Sequence, residues 1–211
     1  MNKRTNQRLD KDLQYLQLLA KSFPTIADAS TEIINLQAIL NLPKGTEHFL
    51  ADIHGSYESF QHVLKNASGN IKRKVNDIFG YHIRESELRD LCTLIYYPEQ
   101  KLDQIKQREE DLNDWYHITI HQLVKVCREV SSKYTRSKVR KSLPKEFSYI
   151  IQELLHERTD DLDKVGYVNA VIDSMIETDR ADDFIITICN VIQRLAIDQL
   201  HILGDIYDRG P

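Results

Sequence analysis

The segment "EHFLADIHG", residues 47–55, decides how the chain is read. Phe49, Leu50, Ala51 and Ile53 make it short and apolar, and glycines at 45 and 55 bound it. That is the pattern of a buried strand ending in a tight turn. Helical spacing follows, predicting a helix from about Tyr57 to Asn66. The arrangement returns at "QLHILGD", residues 199–205, where a second short apolar run closes on Gly-Asp after the helical stretch "DDFIITICNVIQRLAI". Two strand-and-turn units joined by a helical crossover predict an α/β sheet with its chemistry at the carboxyl ends of parallel strands.

The polar residues of these turns are the candidate site. Asp52 and His54 stand two apart where the first strand gives way to the turn that Gly55 permits, so a carboxylate and an imidazole can share one cation. Taken alone, Asp-x-His beside a glycine also suits a turn with a satisfied polar pair. In "GDIYDRG", residues 204–210, Gly204 lets the backbone approach closely, Asp205 ends the strand, and Asp208 and Arg209 follow on the turn. Alone, that group also suits a salt-bridged loop. Taken together the two motifs predict convergence of Asp52, His54 and Asp205 on one edge of the sheet. A carboxylate between two divalent ions roughly 3.5–4 Å apart can bridge them and help activate water, while an arginine offers a fork for phosphoryl oxygens. Metal-assisted phosphoester hydrolysis is the chemistry these residue types suit.

Amino-terminal to the first strand, "LDKDLQYLQLLAKSF", residues 9–23, has the stripe of an amphipathic helix that Pro24 interrupts. A second helix is expected across "DASTEIINLQAILNL", residues 28–42, capped by Asp28 or Ser30 and stopped at Pro43-Lys44-Gly45. Between the two strand units, residues 67–182 are rich in Leu, Ile, Tyr, Lys and Glu, nearly free of glycine, and read as mostly helical with a break at Pro98. No internal repeat or low-complexity tract is present.

"DIHG" followed by "GDIYDRGP" resembles the first two motifs of the calcineurin-like metallophosphoesterases, whose pattern is DxH, GDxxDR and then GNH(D/E). The helical leader, "LRDLCTLIYYPEQKL", "KYTRSKVRKSLPKEFSYIIQELL" and "LHILGDIYDRGP" resemble one branch more closely, the class III fructose-1,6-bisphosphatases of bacteria. The resemblance implies an α/β, incomplete calcineurin-like metallophosphoesterase core with a large, mostly helical insertion. Its parts are a leader over 1–46, a first βα unit over 47–66, the insertion over 67–182 and a truncated second αβ unit over 183–211. It implies Asp52 and His54 as ligands of a first metal and Asp205 as the bridge between two. It also implies Asp208 and Arg209 as catalytic residues, Asp208 orienting the histidine of the third motif and Arg209 binding substrate phosphate. The implied cofactor is divalent metal, commonly manganese, and the implied reaction is removal of the 1-phosphate of fructose 1,6-bisphosphate in gluconeogenesis. No GNH(D/E) occurs in the 211 residues. The chain is therefore expected to be the amino-terminal part of a longer phosphatase, poor in metal affinity and nearly inactive alone, with an unpaired sheet edge that makes a homo-oligomer accessible. Within the enzymes, a protein-serine/threonine phosphatase or a dinucleotide polyphosphate hydrolase shares the metal motifs. Outside them, the alternative is a helical interaction module with a vestigial site.

Composition narrows the partners. With 41% hydrophobic and 28% charged residues the chain can bury a sizeable core, and a net charge of −4 gives no general attraction to nucleic acid or anionic membranes. The charged start "MNKRTNQRLDKDLQYL" lacks an apolar signal region, and no run approaches the roughly 18 apolar residues of a membrane span, so a cytoplasmic protein is expected. Cys92, Cys127 and Cys189 form no CxxC pair and read as small buried apolar residues. The stretch "KYTRSKVRKSLPK", residues 133–145, carries Lys133, Arg136, Lys138, Arg140, Lys141 and Lys145 without an acid. It reads as a solvated helix face, or else, with "IKRK" at 71–74, as a site for the sugar phosphate or a phosphate-bearing effector. Tyr134 and Tyr149 make no stacking platform for nucleic acid. The remaining histidines, His48, His62, His82, His117, His121, His156 and His201, read as structural or surface groups, and His117 and His121 lack the glutamate of a zinc HExxH motif.

Overall fold

The computed structural model describes residues 3–108, 112–156 and 162–208, and the chain divides into two compact units, Met1–Pro43 and Lys44–Pro211. The first unit carries α1 (Lys3–Ser22) and α2 (Ile26–Leu40). Pro24 has no N–H to donate and separates them. The cap of α2 is Thr25, earlier than the expected Asp28 or Ser30. Asp28 N donates to Thr25 Oγ1 at 3.1 Å, and Thr25 N donates to Asp28 Oδ2 at 3.3 Å. This reciprocal box satisfies two N–H groups where a lone serine further along would satisfy one. The apolar stripes are present, yet no residue from 11 to 43 is buried; Leu13, Leu16, Ile33 and Ile34 all stay exposed.

Among the described residues the second unit is a mostly helical α/β structure with a small two-stranded sheet. Strand β1 (Glu47–Leu50) pairs in parallel with β2 (Gln199–Ile202), in the register Glu47 to Gln199 through Leu50 to Ile202. Between the strands run α3 (Tyr57–Asn66), α4 (Asn70–Phe79), α5 (Glu85–Tyr96), α6 (Pro98–Lys106), α7 (Asn113–Ser131), α8 (Arg136–Ser142), α9 (Ser148–His156), α10 (Leu162–Glu177) and α11 (Ala181–Ala196). Pro98 occupies the first turn of α6, where its missing N–H costs nothing, so the break at that position is a restart.

The core lies between α7 and α11. Ile120, Leu123 and Cys127 on α7 face Phe184, Ile188 and Ile192 on α11, all fully buried at helical spacing. Val75 of α4, Ile95 of α5, Ile151 of α9 and Ile172 of α10 close around them. The three cysteines are free and buried, as expected, and burial pushes the Cys127 thiol up to about 12, which leaves it protonated and inert. No helix among the described residues is long and apolar enough to cross a membrane.

The sheet departs from the expected buried strands. His48 is buried, but Phe49 is 61% exposed and Leu203, just past β2, is 70% exposed. A strand is buried only when layers cover its faces, and the described residues cover only the His48 side. The rings of Phe49 and His201 stack across the pair at 4.6 Å.

The basic stretch is also divided. Lys133 lies beneath the surface with Nζ 2.5 Å from Asp198 Oδ2, the two side chains being 7% and 12% exposed. Lys138 Nζ lies 3.5 Å from Asp198 Oδ1, so two of the six cations are turned toward one carboxylate. Burial alone would raise the Asp198 pKa, but hydrogen bonds from Lys133, Tyr134 and the Thr46 N–H outweigh it and hold the carboxyl below its usual range. A carboxyl whose pKa is lower folded than unfolded stabilises the fold above the ordinary carboxylate range, and that contribution is lost as pH falls through the lowered value. Urea unfolding followed from pH 7 (roughly neutral) into that range should show this loss, and Asp198→Asn should flatten that part of the slope. Parallel curves for the two proteins would contradict it.

Candidate metal centre

Both strand ends deliver polar side chains to the same edge. The pairing continues past β1 and β2: Leu203 N donates to Leu50 O at 2.8 Å, His54 N to Asp205 O at 3.1 Å and Gly55 N to Ile206 O at 2.7 Å. This lacing holds the loop after β1 against the loop after β2. Asp52, His54 and Asp205 each present a ligand atom, and these atoms all lie within 4.8 Å of one another. Among the described residues this is the one such group of three or more His, Cys, Asp and Glu side chains.

The local backbone is specialised. Asp52 and His54 have φ of 53° and 47°, a left-handed conformation costing roughly 1–3 kcal/mol for a residue other than glycine. Asp and His tolerate it better than most residues, and the inter-loop hydrogen bonds hold it in place. Gly204 answers from the other loop. A Cβ there would sit 2.6 Å from Asp52 N and closer still to Asp52 Oδ1. Glycine is therefore required for close approach, as the sequence suggested, and Asp205 N reaches Asp52 Oδ1 at 3.4 Å.

Asp208 fixes the imidazole. His54 Nδ1 lies 2.8 Å from the Asp208 carbonyl oxygen and 3.1 Å from its Oδ1. Both partners are acceptors, so Nδ1 carries the proton and Nε2 keeps its lone pair for a cation. The carbonyl of Asp208 first, and its carboxylate second, hold the His54 pKa above the ordinary histidine value. Protonation and ligation at Nε2 exclude each other. Sequence reasoning assigned Asp208 only to a histidine of the third motif and missed this contact, although the pairing of the two turns was the available signal. Arg209 lies outside the described residues.

Two carboxylates and one imidazole form an oxygen-rich set suited to manganese, iron or zinc, with positions left for water and substrate. A cleft of about 240 Å³ lined by Leu50, Asp52, Ser56, Ser59 and Phe60 opens beside it. A larger cavity of about 690 Å³, near His82, His117 and His121, lies away from these carboxylates. There His117 Nε2 is 2.8 Å from Asp173 Oδ1 and His121 Nε2 is 3.2 Å from Asn169 Oδ1, which gives both rings structural partners and argues against zinc.

The sequence profile of the family described as Firmicute fructose-1,6-bisphosphatase matches residues 14–211. The chain belongs to this family. Among curated relatives of this fructose-1,6-bisphosphatase family member, a protein of Bacteroides thetaiotaomicron named fructose-1,6-bisphosphatase class 3 is 72% identical over 98% of the chain. A protein of the same name from Phocaeicola vulgatus is 71% identical over 100% of it, and one from Clostridium botulinum 64% over 98%. The chain spans 31–32% of the length of these relatives. No solved structure matches it.

Proposed function

We propose that the chain contributes Asp52, His54 and Asp205 to the centre of a metal-dependent fructose-1,6-bisphosphatase that removes the 1-phosphate of fructose 1,6-bisphosphate in gluconeogenesis. The observation that carries this is the meeting of ligand atoms of Asp52, His54 and Asp205, from two strand-end turns, within 4.8 Å of one another, in a chain whose family is described as fructose-1,6-bisphosphatase. Parallel strands with polar groups at their carboxyl ends suit a calcineurin-like core, and the helical segment 67–182 reads as an insertion between its first two units.

Divalent ions, manganese foremost, would supply charge neutralisation at the phosphoryl group and a lowered pKa for the attacking water. Asp205 would serve as the carboxylate that the ions share. Asp52 and His54 would hold the first of them, and Asp208 keeps His54 in the tautomer that leaves Nε2 free to ligate. Arg209 offers its planar fork to phosphoryl oxygens, orienting the ester for in-line attack. Three buried, unpaired thiols fit a reducing, cytoplasmic setting. The cations left on the surface of the basic stretch, Arg136, Arg140, Lys141 and Lys145, suit a phosphate-bearing effector, and the exposed sheet suits self-association.

The test is phosphate release. A polypeptide of the relatives' full length carrying these residues should liberate phosphate from fructose 1,6-bisphosphate with manganese, prefer it to phosphoserine peptides, and lose activity on chelation. The 211-residue chain alone should be nearly inactive. Absence of release from the sugar bisphosphate with any of manganese, magnesium or zinc would overturn the reading.

A further inference from the structure

The sheet that assembles the centre is short, each strand having four residues, and beyond the Phe49–His201 stack and the His201–Glu47 ion pair its faces do little to fix its register. Only His48 among the eight paired residues is buried, so the hydrophobic pattern does not single out one alignment. Yet alignment decides the site. A slip of one residue moves Asp205 about 3.3 Å along the strand and turns every side chain to the opposite face; a slip of two moves it about 6.6 Å.

The opposite end of the sheet supplies the missing specification. Thr46, just before β1, and Asp198, just before β2, are tied in both directions: Thr46 N donates to Asp198 Oδ2 at 2.7 Å, and Asp198 N donates to Thr46 O at 3.0 Å. Lys133 Nζ, besides its ion pair with Asp198, donates to Thr46 Oγ1 at 3.1 Å and to Ala196 O at 3.2 Å. One buried ammonium, just past α7, thus joins the end of α11 to the entries of both strands. Asn70 Nδ2 of α4 donates to the same Ala196 carbonyl at 3.3 Å. A Cβ at Gly45 would come within 2.9 Å of Asp198 Cγ, so the chain passes the carboxylate as closely as it can.

We propose that Asp198 and Lys133 are positioning residues, a clamp that sets the β1–β2 register from the strand entries and so brings Asp205 to Asp52 and His54 at the strand exits. The proposal rests on the metal-centre reading. A buried ion pair of this kind contributes little net stability over an apolar replacement of both members, but it is directional and tolerates one alignment. Removing a single member would strand the other, so the informative variants change both.

Manganese-induced broadening of amide resonances in the chain reads binding even when it is weak. Asp198→Ala with Lys133→Met should bind manganese roughly 10–100-fold more weakly, the range seen when groups that orient ligands are lost. Asp198→Asn with Lys133→Met keeps an acceptor for the Thr46 N–H and should recover affinity to within about threefold of the parent. Hydrogen exchange at the Leu203 and His54 amides, which lace the loops, should speed up in the alanine variant while amides of α7 and α11 keep their protection. If the alanine variant binds like the parent, or if α7 and α11 lose protection along with the loops, the clamp is overturned. Asp205→Asn run in parallel separates the two claims: manganese binding by the parent that Asp205→Asn does not weaken defeats the metal centre itself, whatever the clamp does.

Discussion

If Asp205 is the shared anionic ligand of the proposed centre, Asp205→Asn is expected to weaken manganese binding by about 10³-fold, equivalent to about 4 kcal/mol, because a neutral amide would not take that role. The side chain is exposed and its backbone N–H, not its carboxylate, reaches Asp52, so folding stability should stay within about 0.5 kcal/mol of the parent. Calorimetry with manganese, alongside a thermal melt, checks both halves. The combination matters, since a variant that loses the metal by unfolding would say nothing about ligation. In a polypeptide of the relatives' full length, the same change should remove phosphate release almost entirely. Unchanged manganese affinity in a folded Asp205→Asn protein would remove this residue from the centre.

Gly204→Ala should be nearly as damaging for a different reason. Its added methyl meets the Asp52 backbone nitrogen at 2.6 Å and the Asp52 carboxylate more closely still. The two loops must separate or the carboxylate must swing away. Overpacking of this sort costs about 1–3 kcal/mol in stability, and displacement of the ligand should cost about 10–100-fold in metal affinity. A melt and a manganese titration of the same sample will show both losses. If alanine at this position is silent in both, the two loops are not held as closely as the hydrogen bonds between them require.

The sequence carried local features well and long-range partners poorly. The bounds of α3 and the restart at Pro98 follow from patterns contained in about one window of residues, which is the range over which periodicity and proline chemistry act. The meeting of Asp52, His54 and Asp205 was also legible, because two short apolar runs ending in glycine-flanked acids leave few other ways to pair. The cap of α2 was misplaced by reading single residues where Thr25 and Asp28 act as a reciprocal pair. Lys133 was placed on a charged surface because its partner, Asp198, is remote in sequence and nothing local marks the contact. Strand burial could not be read at all, since it depends on which layers cover a face and not on the strand's own residues. The left-handed backbone at Asp52 and His54 is likewise imposed by the facing loop, through bonds such as His54 N to Asp205 O.

That backbone sets robustness and chemistry against each other at the same two positions. Glycine would relax either residue at no steric cost and asparagine would relax it in part, but each removes a group of the proposed metal centre. Selection for heat resistance alone would therefore drift toward a quieter, chemically blank loop, while selection for the proposed metal chemistry would keep the strained pair and demand compensating strength from the α7–α11 interior.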